Sequence, residues 1–91
     1  QYDFGYQNPD GFLLVAQALE NTGVMAYTGA LAGIQDAGLQ TAGATIATVE
    51  ARHAAYLNLI NGDSPFPEAF DTPKTMDEIL AIAGRFIVSC P

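Results

Sequence analysis

The stretch IATVEARHAAYLNLI, Ile46 to Ile60, decides how the chain is read. Ile46, Val49, His53, Leu57 and Ile60 recur at the three-and-four spacing of one helix face. Two ionisable groups sit on or beside that stripe, Glu50 and His53, in the form Glu-x-x-His. Side chains three apart share one side of a helix, with Cβ atoms about 5–6 Å apart. Turning a carboxylate and an imidazole toward a core is costly unless something pairs with them. A metal ion would do so.

Working outward, this stretch is the second half of a helix expected from about Leu39 to Asn61. Its first half, LQTAGATIAT, is small and rich in Ala and Thr. Asn61-Gly62 gives the stop, with Gly62 suited to the left-handed position after the helix. Upstream, Asn8-Pro9-Asp10 reads as a helix start: an Asn cap, Pro at the first helical position, and Asp near the positive end of the dipole. That first helix is expected from about Pro9 to Gly33, with Leu13, Ala16, Leu19, Glu20, Val24, Tyr27 and Leu31 facing inward. Residues 33–38, GIQDAG, mark the turn between the two. Two helices joined so briefly form an antiparallel hairpin.

Downstream, DSPFPEAFDTPK (63–74) holds three of the five prolines and reads as an ordered loop. Phe66 and Phe70 would not be left in water, so the loop is expected to cap the bundle end. Thr75-Met76-Asp77-Glu78 matches the Ser/Thr-x-x-Glu capping box. It opens a third, shorter helix expected over about 75–88, with Ile79, Ile82 and Phe86 inward. Gln1 to Gln7, QYDFGYQ, has three aromatics and no helical period, and reads as an extended arm that needs a surface to lie on. The fold class is therefore all-α, with one helical domain or fragment across 1–91. No strand is expected.

The bulk numbers constrain function. A hydrophobic content of 49% excludes a disordered chain. Only 14% of residues are charged, well below the usual quarter, so much of the surface is expected to be covered by more polypeptide. The formal charge of −7 argues against phosphate-mediated nucleic-acid binding and against docking on an anionic membrane. No apolar run approaches the ~18 residues of a membrane span. The lone Cys90 has no internal partner for a disulfide. The chain starts without Met inside an apparent loop and stops at Ser89-Cys90-Pro91, so residues beyond both ends are expected.

Glu20 interrupts the apolar stripe of the first helix as Glu50 and His53 interrupt that of the second. Each Glu lies about eleven residues into its helix, so antiparallel pairing brings both to similar depth. One Glu facing Glu-x-x-His is half of the ligand set of di-metal ferritin-like bundles. Carboxylates with one imidazole suit Fe or Mn. Tyr27, two turns beyond Glu20, is placed to donate a hydrogen bond to a ligand.

At these residues the sequence resembles the ferritin-like proteins grouped with desiccation-related and stress-induced secreted proteins. The matching stretches are ALENTGVMAYTGAL around Glu20, ATVEARHAAYLNLINGDSPFPEAFDTP around Glu50 and His53, and TMDEILAIAGRFI toward the end. The resemblance implies a four-helix bundle, of which these are the third and fourth helices. It implies metal ligation by Glu20, Glu50 and His53, redox chemistry toward oxygen or peroxide, and an extracytoplasmic location. The helices with the other Glu and the other Glu-x-x-His have no counterpart here. A protein partner or second copy is thus expected to complete the bundle.

Alternatives stand beside this. Glu-x-x-His occurs on many solvated helix faces, and His53 is equally read as a histidine satisfied by Glu20, a relic of a lost site. Arg52 points away and reads as a surface residue, Tyr56 as a core-edge aromatic, and Met25 and Met76 as packing residues. The competing function is a non-catalytic structural or interaction subunit whose apolar faces are buried by other chains.

Overall fold

The computed structural model describes residues 1–90. Three helices follow one another: α1 (Pro9–Leu31), α2 (Ala37–Ile60) and α3 (Met76–Ala83), the last running into a 3-10 turn, Gly84–Phe86. No strand occurs among the described residues. α1 and α2 pack antiparallel, with Leu31 beside Gly43 near one end and Gln17 bonded to Asn61 near the other. No described helix is long and apolar enough to cross a membrane.

Local chemistry sets the helix ends. The Gly11 amide donates to Asn8 Oδ1 at 2.8 Å, and Pro9 costs no hydrogen bond in the first turn. α2 begins two residues before the expected Leu39, because Asp36 caps it by accepting from the Leu39 amide at 2.8 Å. α2 closes in a Schellman motif around Gly62 at φ +86: the Asp63 amide donates to the Asn58 carbonyl, and the Gly62 amide to that of Leu59. Thr75 and Glu78 form the reciprocal capping box of α3.

α3 stops short of the expected Val88. After the 3-10 turn Gly84–Phe86 the chain extends from Ile87 and takes the N-terminal arm as its partner. The Asp3 amide donates to the Phe86 carbonyl at 2.9 Å and the Val88 amide to that of Gln1 at 2.9 Å, while Tyr2 and Ile87 form an isolated antiparallel bridge. Phe4 packs on Phe86 with ring centroids 5.7 Å apart, and Tyr6 meets Phe12 edge-on at 5.3 Å. The aromatic arm thus finds its surface at the far end of the chain, and those pairings displace the last helical turn.

The contact between α1 and α2 is made by small residues. Val24 and Thr22 of α1 are buried, together with Gly43, Ala47, Ala54 and Asn58 of α2. This corrects the expected inward stripe: Ile46, Val49, His53 and Ile60 are exposed and Leu57 is half-buried. Helix axes approach most closely where side chains are smallest, so the Ala/Gly face takes the contact. The larger residues lie beside it on an open flank. On α1, Leu13, Ala16, Leu19, Glu20 and Leu31 are half-buried and Tyr27 is exposed.

The 63–74 loop returns across α1. The Lys74 amide donates to the Met25 carbonyl at 3.1 Å, and a Cβ at Gly29 would collide with the Lys74 carbonyl. Only glycine permits this crossing. The loop does not bury its aromatics: Phe66 is 81% and Phe70 86% exposed, against the expected cap. Prolines and hydrogen bonds such as Thr72 to Glu68, at 3.1 Å, hold the loop instead.

Candidate metal centre

Glu20 stands in the middle of α1, and Glu50 and His53 one turn apart on α2. Because the helices run antiparallel at matching depth, the three side chains converge. His53 Nδ1 lies 3.5 Å from Glu20 Oε1 and 3.8 Å from Glu50 Oε2. One donor atom from each residue falls within 4.8 Å of the other two. Gly23 of α1 faces the same group, where an added Cβ would stand an ordinary 4.0 Å from Glu50 Oε2.

The two carboxylates differ in circumstance. Glu20 is 27% exposed, and its Oε2 is buried with no hydrogen-bond partner among the described residues. Buried polar atoms are nearly always satisfied, so this oxygen is an exception that asks for a ligand. Burial pushes the Glu20 carboxyl above its ordinary value, and the adjacent Glu50 carboxylate pushes the same way. The neighbouring His53 opposes them without cancelling them. His53 itself is 53% exposed, on the open flank of the hairpin.

Residues 1–63, which hold all three side chains, match the family model of the ferritin-like domain. The chain belongs to the ferritin-like family. No curated protein matches it. α3 and the Phe-Pro loop lie beyond the span that the ferritin-like model covers.

The donor set fits a cation. Two carboxylates and an imidazole are the ligand types that Fe and Mn accept. Two donors about 2.1 Å from one octahedral cation stand about 3–4 Å apart, and the two separations to His53 fall in that range. Glu20 Oε2 would gain the partner it lacks.

Tyr27 does not turn to the site. It lines an apolar cleft with Gly29, Lys74, Met76 and Ile79, between α1 and the start of α3. Arg52 and Tyr56 are exposed.

Sequence reading missed the polar cluster next to the site. Gln17 Nε2 donates to Asn58 Oδ1 at 3.0 Å and to Asp63 Oδ2 at 2.6 Å. Asn21 Nδ2 donates to Asn58 Oδ1 at 2.8 Å, and Asn61 Nδ2 to Gln17 Oε1 at 2.8 Å. The signal was available as Gln17-x-x-x-Asn21 on one helix and Asn58-x-x-Asn61 on the other, both at one-turn spacing.

Proposed function

We propose that Glu20, Glu50 and His53 are half of a carboxylate-rich Fe or Mn centre in a ferritin-like protein that performs redox or metal-handling chemistry. The observation that carries this reading is the orphaned Glu20 Oε2 facing a second carboxylate and an imidazole. Glu50 would bridge two metals, and Glu20 and His53 would be terminal ligands. The bound metal supplies redox chemistry toward oxygen or peroxide. The chain's own contribution is to hold two like charges together at a half-buried depth, which a cation relieves. Burial of Glu20 between the helices keeps bulk water off one side of the site.

Three donors fill only part of a di-metal ligand set, and the open flank beside His53 leaves access for more. A second helix pair, from further residues of the same protein, another copy or another polypeptide, would supply the rest. The resemblance to desiccation-related and stress-induced proteins supports an extracytoplasmic role in stress.

Loading the metal-free chain with Fe(II) or Mn(II) and measuring stoichiometry tests the reading. Saturable binding by the wild type, lost in Glu50→Ala, is expected. Equal binding by Glu50→Ala would sink it.

The exposed Ile46, Val49, Ile60, Phe66 and Phe70 favour a second reading, a structural subunit whose apolar faces other polypeptides bury. A chain that stays monomeric and binds no ANS would exclude it.

A further inference from the structure

On the α2 side, the helix–helix contact that places Glu20 opposite Glu50 is made of residues that say little about register. Gly43, Ala47, Ala51 and Ala54 recur at three-and-four spacing and give α2 a smooth small-residue face toward α1. Sliding α1 along that face by one turn, about 5.4 Å, exchanges one small-residue contact for another. The same slide would carry Glu50 and His53 away from Glu20.

Polar side chains at the end of α2 resist it: Asn61 Nδ2 donates to the Leu13 carbonyl and to Gln17 Oε1, and Asn58 is the buried member of the group. Asn58 is 5% exposed, and its Oδ1 accepts from both Gln17 Nε2 and Asn21 Nδ2 of α1. Those donors are one turn apart on α1, so a single oxygen is held between two rungs of the opposite helix. Slipping the helices by a turn in either direction would leave this oxygen with one of its two donors instead of both. Losing a donor to a buried acceptor disfavours the slipped arrangement against the native one. Single buried Asn residues fix register in paired helices elsewhere.

We propose that Asn58 is a positioning residue that locks the α1/α2 register and so aligns Glu20 with Glu50 and His53. Its value for metal binding rests on the function proposed above; the register lock does not.

The test reads register without metal. In a Cys90→Ser background, one pair of cysteines is placed at Leu31 and Gly43, where a Cβ on residue 43 would stand 3.1 Å from Leu31 Cδ2. A second pair, at Leu31 and Ala47, reports a one-turn slip. The wild-type sequence should cross-link 31–43 and not 31–47. Asn58→Leu should stay helical, because Asn21 Nδ2 keeps its intrahelical bond to the Gln17 carbonyl and the bonds of Gln17 with Asp63 and Asn61 persist in the native-register fraction. It should nevertheless yield both cross-links. Asn58→Ala, which removes the amide without adding bulk, should do the same and guards against overpacking by Leu. Exclusive 31–43 cross-linking in both variants would overturn the proposal.

Mn(II) titration of the same variants, without the cysteine pairs, forms a second arm. A loss in affinity of about tenfold or more is expected, the usual effect of disturbing residues that hold ligands in place. Slipped register with wild-type Mn(II) affinity would overturn the link to the site. Slipped register where the wild type binds no Mn(II) would refute the metal reading and leave the register lock standing.

Discussion

Glu20 Oε1 lies 3.5 Å from His53 Nδ1, so an acid of α1 and an imidazole of α2 face each other across the hairpin with Glu50 alongside. The acid is the strained member of the group. Its second oxygen is buried without a partner, and its nearest carboxylate neighbour repels it.

That strain makes the metal-free protein sensitive to pH. In the folded chain Glu20 holds its proton above the ordinary value of 4.5, so folding takes up a proton in the window just above 4.5. Stability therefore falls as pH rises through that window. Glu20→Gln should remove the fall, giving a chain with a higher melting temperature than wild type at pH 7 in chelator. Thermal melts from pH 4.5 to 7.5 check this, and parallel curves for the two proteins would contradict it.

Glu78 acts on the other side of that window. The Thr75 backbone amide and hydroxyl, both bonded to its carboxylate, hold it below the ordinary range. Its contribution to α3 is present above 4.5 and lost as pH falls through the lowered value. Glu78→Gln should lower the stability by a constant amount above pH 5 and leave the most acid end nearly unchanged, which flattens the acid side of the profile.

The crossing of the Lys74 backbone over α1 gives a prediction for two glycines. Gly29→Ala must push the Lys74 carbonyl aside and strain the Lys74–Met25 hydrogen bond, costing about 1–3 kcal/mol as overpacking does. Gly23→Ala meets only Glu50 Oε2, at an ordinary 4.0 Å, and should gain up to about 1 kcal/mol of helix propensity. Urea unfolding of the two variants should move in opposite directions.

The open flank of α2 predicts association. Ile46, Val49 and Ile60 are exposed beside the site, and lysines there should cost the hairpin within about 0.5 kcal/mol, as surface changes do. A triple-lysine variant should keep its helicity while losing ANS binding and any self-association seen by sedimentation. Unchanged ANS binding and sedimentation would show that this flank is not what partners cover.

The sequence by itself determined the punctuation of the chain and the candidates for chemistry. The Asn8 and Thr75 caps and the stop at Gly62 are legible because capping acts within one helical turn of the residues that cause it. The Glu-x-x-His spacing and the matching depth of Glu20 are legible for the same reason: helical rise is fixed, and two helices on a short turn must run antiparallel.

Only the tertiary structure decided which face of α2 meets α1. Periodicity marked Ile46, Val49, His53, Leu57 and Ile60, but closest approach selected Gly43, Ala47, Ala54 and Asn58, since backbone proximity rewards small side chains. The end of α3 depended on strand-like pairing with Gln1 to Asp3, residues more than eighty positions away. The exposure of Phe66 and Phe70, and the burial of Asn58 between Gln17 and Asn21, likewise depend on what packs against each residue. No local rule carries that information.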